Sequence, residues 1–140
     1  MSLLVLQKIL MIEPKAFQSV RGGSAGFYAD PRKKFYVENL RKLLRPASQA
    51  ERLTIYQHLP TPNPVRFTTH FAMGRPKRPK NKEYPIARPD LDNLLKPLLD
   101  ACNGILWKDD SQVVQYGEGT GKYYALNGSA PYIMIKMEIL

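Results

Sequence analysis

Proline constrains this chain more than any other residue type. Its 140 residues hold twelve prolines, and each one fixes φ and removes a backbone donor. Pro60, Pro62 and Pro64 break all regular structure where they fall, and Pro76, Pro79, Pro85 and Pro89 do the same further on. What lies between the breaks must fold as short elements. Residues 3–12, rich in Leu, Val and Ile and stopped near Pro14, read as a first strand. Residues 13–31 carry Gly22, Gly23 and Gly26 and read as a loop with a mobile glycine centre. Asp30-Pro31 is an N-cap with proline at the first helical position, and it predicts a helix from about Pro31 to Leu44. Val37, Leu40 and Leu44 share one stripe of that helix, and Pro46 ends it. Ser48 to His58 fits a short helix or a loop. Val65, Phe67, Thr69, Phe71 and Met73 then alternate with Arg66, Thr68, His70 and Ala72, the pattern of a half-buried strand. A helix is expected from Asp92 or Asn93 to about Asn103, with Gly104 as its stop and Pro97 removing a backbone bond inside it. Residues 112–117 and 122–126 read as a hairpin with a glycine-rich turn, and 131–140 as a last strand. The sum is a single α+β domain over residues 1–140, one mixed β-sheet with helices packed against it.

Charge narrows the partner. Lysine and arginine number 21 against 12 acidic residues, a net +9. This argues against a calcium buffer or a binder of basic partners. It favours a polyanion, most simply nucleic acid, over an anionic membrane surface. The single cysteine, Cys102, excludes an intrachain disulfide and a multi-cysteine zinc site. The apolar N-terminus lacks a basic leader and a cleavage site and is too short to span a bilayer, so the expectation is a cytoplasmic protein without membrane attachment.

Against this basic background, five of the six aspartates fall between positions 90 and 110: Asp90, Asp92, Asp100, Asp109 and Asp110. Asp90 and Asp92 are two apart just before a helix, and in an extended stretch both would project to one side. Paired carboxylates repel unless a cation lies between them. Magnesium suits such a pair, with Asp109 or Asp110 as a third ligand. The plainer reading makes Asp92 a helix N-cap and Asp109-Asp110 turn residues. Lys96 lies four residues after Asp92 and four before Asp100. It is either the centre of an i,i+4 ion-pair ladder or a charge held beside a metal site. His70 reads as a surface residue, Cys102 as core and Trp107 as packing.

The run Arg88-Pro89-Asp90-Leu91-Asp92-Asn93-Leu94-Leu95-Lys96, then Leu99-Asp100-Ala101, Asn103-Gly104-Ile105 and Trp107-Lys108-Asp109-Asp110-Ser111-Gln112-Val113, resembles the RusA family of Holliday-junction resolvases. Several ordered elements make it far more specific than a lone Asp-x-Asp. The resemblance implies a Mg²⁺-dependent endonuclease, with Mn²⁺ as a substitute, that cuts four-way DNA junctions as a homodimer in recombination and repair. By motif it places the metal ligands on Asp90, Asp92 and Asp110 and the catalytic lysine on Lys96. Asp109 and Asn93 take supporting roles. Lys77, Arg78, Lys80, Lys82 and Arg88 are the expected contacts to the DNA backbone. Resolvases of this kind are often carried by bacteriophages and prophages. The segment 47–64 is longer than the family layout suggests. The rival reading is a module that binds branched DNA without cutting it.

Overall fold

The computed structural model describes residues 3–17, 21–23, 26–28 and 30–140. In chain order its elements are β1 (Leu3–Leu10), β2 (Arg21–Gly23), β3 (Gly26–Tyr28), α1 (Pro31–Leu44), α2 (Gln49–Leu53), β4 (Val65–Met73), α3 (Leu91–Cys102), β5 (Val113–Tyr116), β6 (Gly121–Tyr124) and β7 (Tyr132–Ile139). The main sheet is mixed and runs β1, β7, β4 and then an edge shared by β5 and β6. β7 is antiparallel to both of its neighbours. β2 and β3 form a separate antiparallel pair inside the loop expected over 13–31. The rest of that glycine centre, residues 24 and 25, lies outside the described residues, and so does the mobility expected there.

The hairpin expected over 112–126 is overturned. β5 and β6 are both parallel to β4, one beside Val65–Phe67 and the other beside His70–Met73. They are successive pieces of one edge. The cause is local. The Gly117 N–H donates to the Phe67 carbonyl at 2.9 Å, and the Thr120 hydroxyl donates back to the Gly117 carbonyl at 2.8 Å. The chain therefore steps out for one loop and returns in its original direction. A Cβ on residue 117 would stand 1.8 Å from Thr68 Oγ1, so the approach requires glycine. The same contact helps bury Thr68, and β4, paired on both edges, is more enclosed than a half-buried strand.

The helices follow local chemistry closely. Asp30 caps α1 by accepting from the Arg32 N–H, and Pro31 is its first residue. Tyr36 joins Leu40 and Leu44 on the buried face, with Val37 at its margin. The ambiguous stretch after Pro46 contains α2, capped by Ser48. Lys8 on β1 holds that stretch through an ion pair with Glu51 at 3.0 Å, and the Tyr56 hydroxyl donates to the Leu44 carbonyl. α3 starts at Leu91, slightly earlier than its apolar spacing suggests, and continues through Pro97. Its last carbonyls are met by α1: Arg41 Nη1 donates to the carbonyls of Ala101 at 3.0 Å and Asn103 at 2.7 Å. Leu94 and Leu98 of α3 join Leu40, Phe67, Phe71, Ile133 and Ile135 in one core. Cys102 is fully buried within it, and that burial pushes its thiol well above the ordinary range. Among the described residues, no helix is long and apolar enough to cross a membrane.

Candidate active site

Asp90 is the N-cap of α3, but its carboxylate makes no capping bond. Its backbone carbonyl takes the N–H groups of Asn93 and Leu94, both at 3.1 Å. An aspartate at this position ordinarily bonds the N2 or N3 amide with its side chain. Here the carboxylate stays exposed and leaves those amides alone, and the cap position falls on Asp90 rather than on Asp92, where the plainer reading puts it. Asp92 is exposed in the first turn, where the positive end of the helix favours negative charge. The two aspartates thus flank the helix start and do not share an extended stretch. Lys96 is exposed one turn beyond Asp92, with no ion pair among the described residues. The ion-pair ladder that its spacing allows does not form, because Asp100 pairs with Lys33 on α1 at 3.3 Å.

The Trp-Lys-Asp-Asp-Ser-Gln run holds Asp110 by a set of specific bonds. Trp107 is fully buried, with its ring edge-on to Phe67 and its indole N–H donating to Asn103 Oδ1 at 2.8 Å. Gly104 turns the chain with a φ of +80° and donates to the Trp107 carbonyl at 2.7 Å. Asp109 caps a 3-10 turn, Asp110–Gln112, in a reciprocal capping box with Gln112. The Gln112 side chain accepts from the Lys108 and Asp109 N–H groups and donates to the carbonyls of Thr61 and Asn63. The proline-rich segment after α2 is therefore the platform on which this turn rests. Asp109 serves the turn as its cap, and Asp110 has no part in that capping. Partial burial pushes the Asp110 carboxyl up, and its hydrogen bond with Asp109 and repulsion from Asp109 and Asp100 add to the rise.

Between β4 and α3, Lys77, Arg78, Lys80, Lys82 and Arg88 are all exposed, except that Arg88 and its neighbours border a cleft beside Asp90, and none is ion-paired among the described residues. The segment is nonetheless fastened. From β6, the Tyr124 hydroxyl donates to the Asn81 carbonyl at 2.8 Å, and the Arg75 guanidinium lies 4.2 Å from the centre of the Tyr124 ring. Lys122 donates to the carbonyls of Ala87 and Pro89, both at 2.9 Å, which holds the chain immediately before Asp90. His70 is half-buried rather than a free surface residue, its ring tilted against that of Tyr123 with centroids 4.8 Å apart.

The chain matches the family model of the endodeoxyribonuclease RusA over residues 12–138. It belongs to the RusA family. Comparison with curated proteins gives no match. Membership bears out the resemblance read from residues 88–113 and makes this a nuclease fold of the family that acts on Holliday junctions and other branched DNA. Within the RusA motif, Asn103, Gly104, Trp107, Asp109 and Gln112 are engaged in the fold, while the side chains of Asp90, Asp92 and Lys96 make no hydrogen bond or ion pair among the described residues.

Among the described residues, no three His, Cys, Asp or Glu side chains converge as a ready metal cage. Magnesium does not require one, since it binds through one or two carboxylates, waters and substrate phosphate. The donor chemistry fits such an ion: hard carboxylate oxygens, with that of Asp90 free of any capping bond. The anchoring roles of Lys122 and of the motif residue Gln112 are what sequence reasoning missed. Both side chains act on backbone carbonyls more than thirty positions away, and no local pattern signals that.

Proposed function

We propose that this chain is a Mg²⁺-dependent endodeoxyribonuclease that resolves four-way DNA junctions by paired phosphodiester hydrolysis, working as a two-fold homodimer. Asp90, Asp92 and Asp110 would hold one or two Mg²⁺ ions, or Mn²⁺ in their place. The observation that carries this reading is the exposed Asp90 carboxylate, free of any capping bond at the start of α3, within a motif of a nuclease family. The bound ion would supply an activated water and positive charge at the scissile phosphate. The chain's own residues do the rest. Asp90 and Asp92 set two negative charges at the positive end of a helix. Lys96, on the Asp92 face, offers an unpaired ammonium to charge developing on the phosphate. Lys77, Arg78, Lys80, Lys82 and Arg88 hold the DNA backbone and fix its register. A two-fold dimer supplies two matched sites for two matched cuts.

The rival, a module that binds branched DNA without cutting, explains the basic strip equally well. It leaves bare carboxylates facing a phosphate backbone, where they cost affinity. The test is cleavage of a synthetic four-way junction with divalent metal varied. For Asp90→Asn, the Mg²⁺-dependent rate is expected to fall by roughly a hundredfold or more, while binding stays at or above native because negative charge has been removed. Full turnover by Asp90→Asn would remove the site assignment. Junction binding by the native chain without cleavage in any divalent metal would leave the binding module.

A further inference from the structure

A cleft of about 1180 Å³ opens beside Asp90, between the chain leaving β1 and the first turns of α1. Among the described residues its ionised groups balance. Glu13, Asp30 and Asp90 line it against Lys15, Arg32 and Arg88. Asp30 and Arg32 are already engaged with each other, with Arg32 Nε 3.1 Å from both carboxylate oxygens and Nη2 2.6 Å from one of them. A phosphate backbone would find no excess of positive charge inside. The uncharged part of the lining has a different character. Phe35 is 71% exposed, and no other ring stacks on it among the described residues. Asn39 and Asn93 line the same space, and neither side-chain amide makes a hydrogen bond among the described residues.

Resting on the nuclease reading above, we propose that this cleft receives one unstacked nucleobase of the DNA substrate, seated on the Phe35 ring, with the Asn39 and Asn93 amides reading its edge. A flat, uncharged, hydrogen-bonding group fits a charge-balanced cleft that presents a free aromatic face and two free amides. Stacking on an aromatic side chain tolerates any base, because every base has a π-face. The cost of leaving the stack is smallest where stacking is already interrupted, which is the condition at a branch point. A base held here puts its own phosphate beside Asp90 and registers the strand for cutting.

The test uses Phe35→Trp titrated with a synthetic four-way junction in the absence of divalent metal, with binding followed in parallel by anisotropy. Stacking quenches the new indole, and the native Trp107, fully buried, supplies a constant background. The expected result is a quench that saturates with binding and disappears when the nucleotides flanking the exchange point are abasic. In single-turnover cleavage at saturating protein, Phe35→Ala should be slower by about tenfold or more. Phe35 is exposed, and circular dichroism checks that both variants keep the fold. An unquenched indole on a bound junction, a quench that persists on abasic DNA, or a native rate in Phe35→Ala would each overturn the proposal. A native chain that binds but does not cleave removes the nuclease reading instead, and the quench still decides the cleft. Failure to bind the junction at all removes both.

Discussion

Lys96 separates two physical roles that its spacing alone leaves equal. A surface lysine with no partner contributes little to folding, so Lys96→Met should shift stability by only a few tenths of a kcal/mol. As a charge beside the reacting phosphate, its loss should slow single-turnover cleavage roughly a hundredfold. Arginine should restore little, since its planar fork does not reproduce a compact ammonium. A Lys96→Met rate within a few-fold of native would leave this side chain to solvent. Asp90 shows how far a residue can be read without coordinates. Its place in the motif is plain from the sequence, yet whether its carboxylate caps the helix depends on which group reaches the Asn93 amide, and no spacing rule gives that. Tyr36 carries a different kind of test. Burial pushes its phenol up to about 12, the Lys15 N–H that its oxygen accepts pulls it partly back, and the Glu13 charge adds to the rise. An unfolded tyrosine ionises near 10.0, so the stabilisation from keeping this phenol neutral is intact below that pH and is lost as pH rises through about 12. The loss is on the order of 2 kcal/mol. Denaturant melts of Tyr36→Phe and native protein, compared between pH 10 and 12, should show the smaller alkaline loss in the variant; parallel pH profiles would contradict this.

The elements divide into those whose ends are set by neighbours in sequence and those set by neighbours in space. α1 could be read to its ends because Asp30, Pro31 and Pro46 are local signals. β4 and β7 could be read because a pleated strand alternates whatever surrounds it. The β5–β6 edge could not, since two short strands joined through glycines look alike whether the chain reverses or steps out and resumes. The deciding approach, Gly117 against Thr68, spans nearly fifty residues. The segment from 74 to 89 reads correctly as a basic loop, but its attachments to β6 carry no local mark. Replacing Lys77, Arg78, Lys80 and Lys82 with glutamine should weaken junction binding. It should also flatten the log–log salt dependence by about 0.9 for each phosphate that is no longer neutralised. Titrations across a salt series measure both, and an unchanged slope would mean the loop is merely solvated.

Across the whole molecule, a net charge of +9 favours long-range attraction to a polyanion such as DNA. Symmetric resolution asks for a second site. Sedimentation should give twice the 16.0 kDa of one chain at the concentrations where junctions are cut in pairs; a monomer making paired cuts would rule the dimer out. The manner in which β6 holds the basic segment bears on how such a protein could be re-engineered. Tyr124 and Lys122 grip carbonyls at residues 81, 87 and 89, and every residue type offers a carbonyl. Apart from the Arg75 guanidinium on the Tyr124 ring, the fastening is therefore blind to the side chains it carries. Positions 77, 78, 80 and 82 can be rewritten as a cassette without touching one of those bonds, and the rewritten surface would still be delivered to the start of α3.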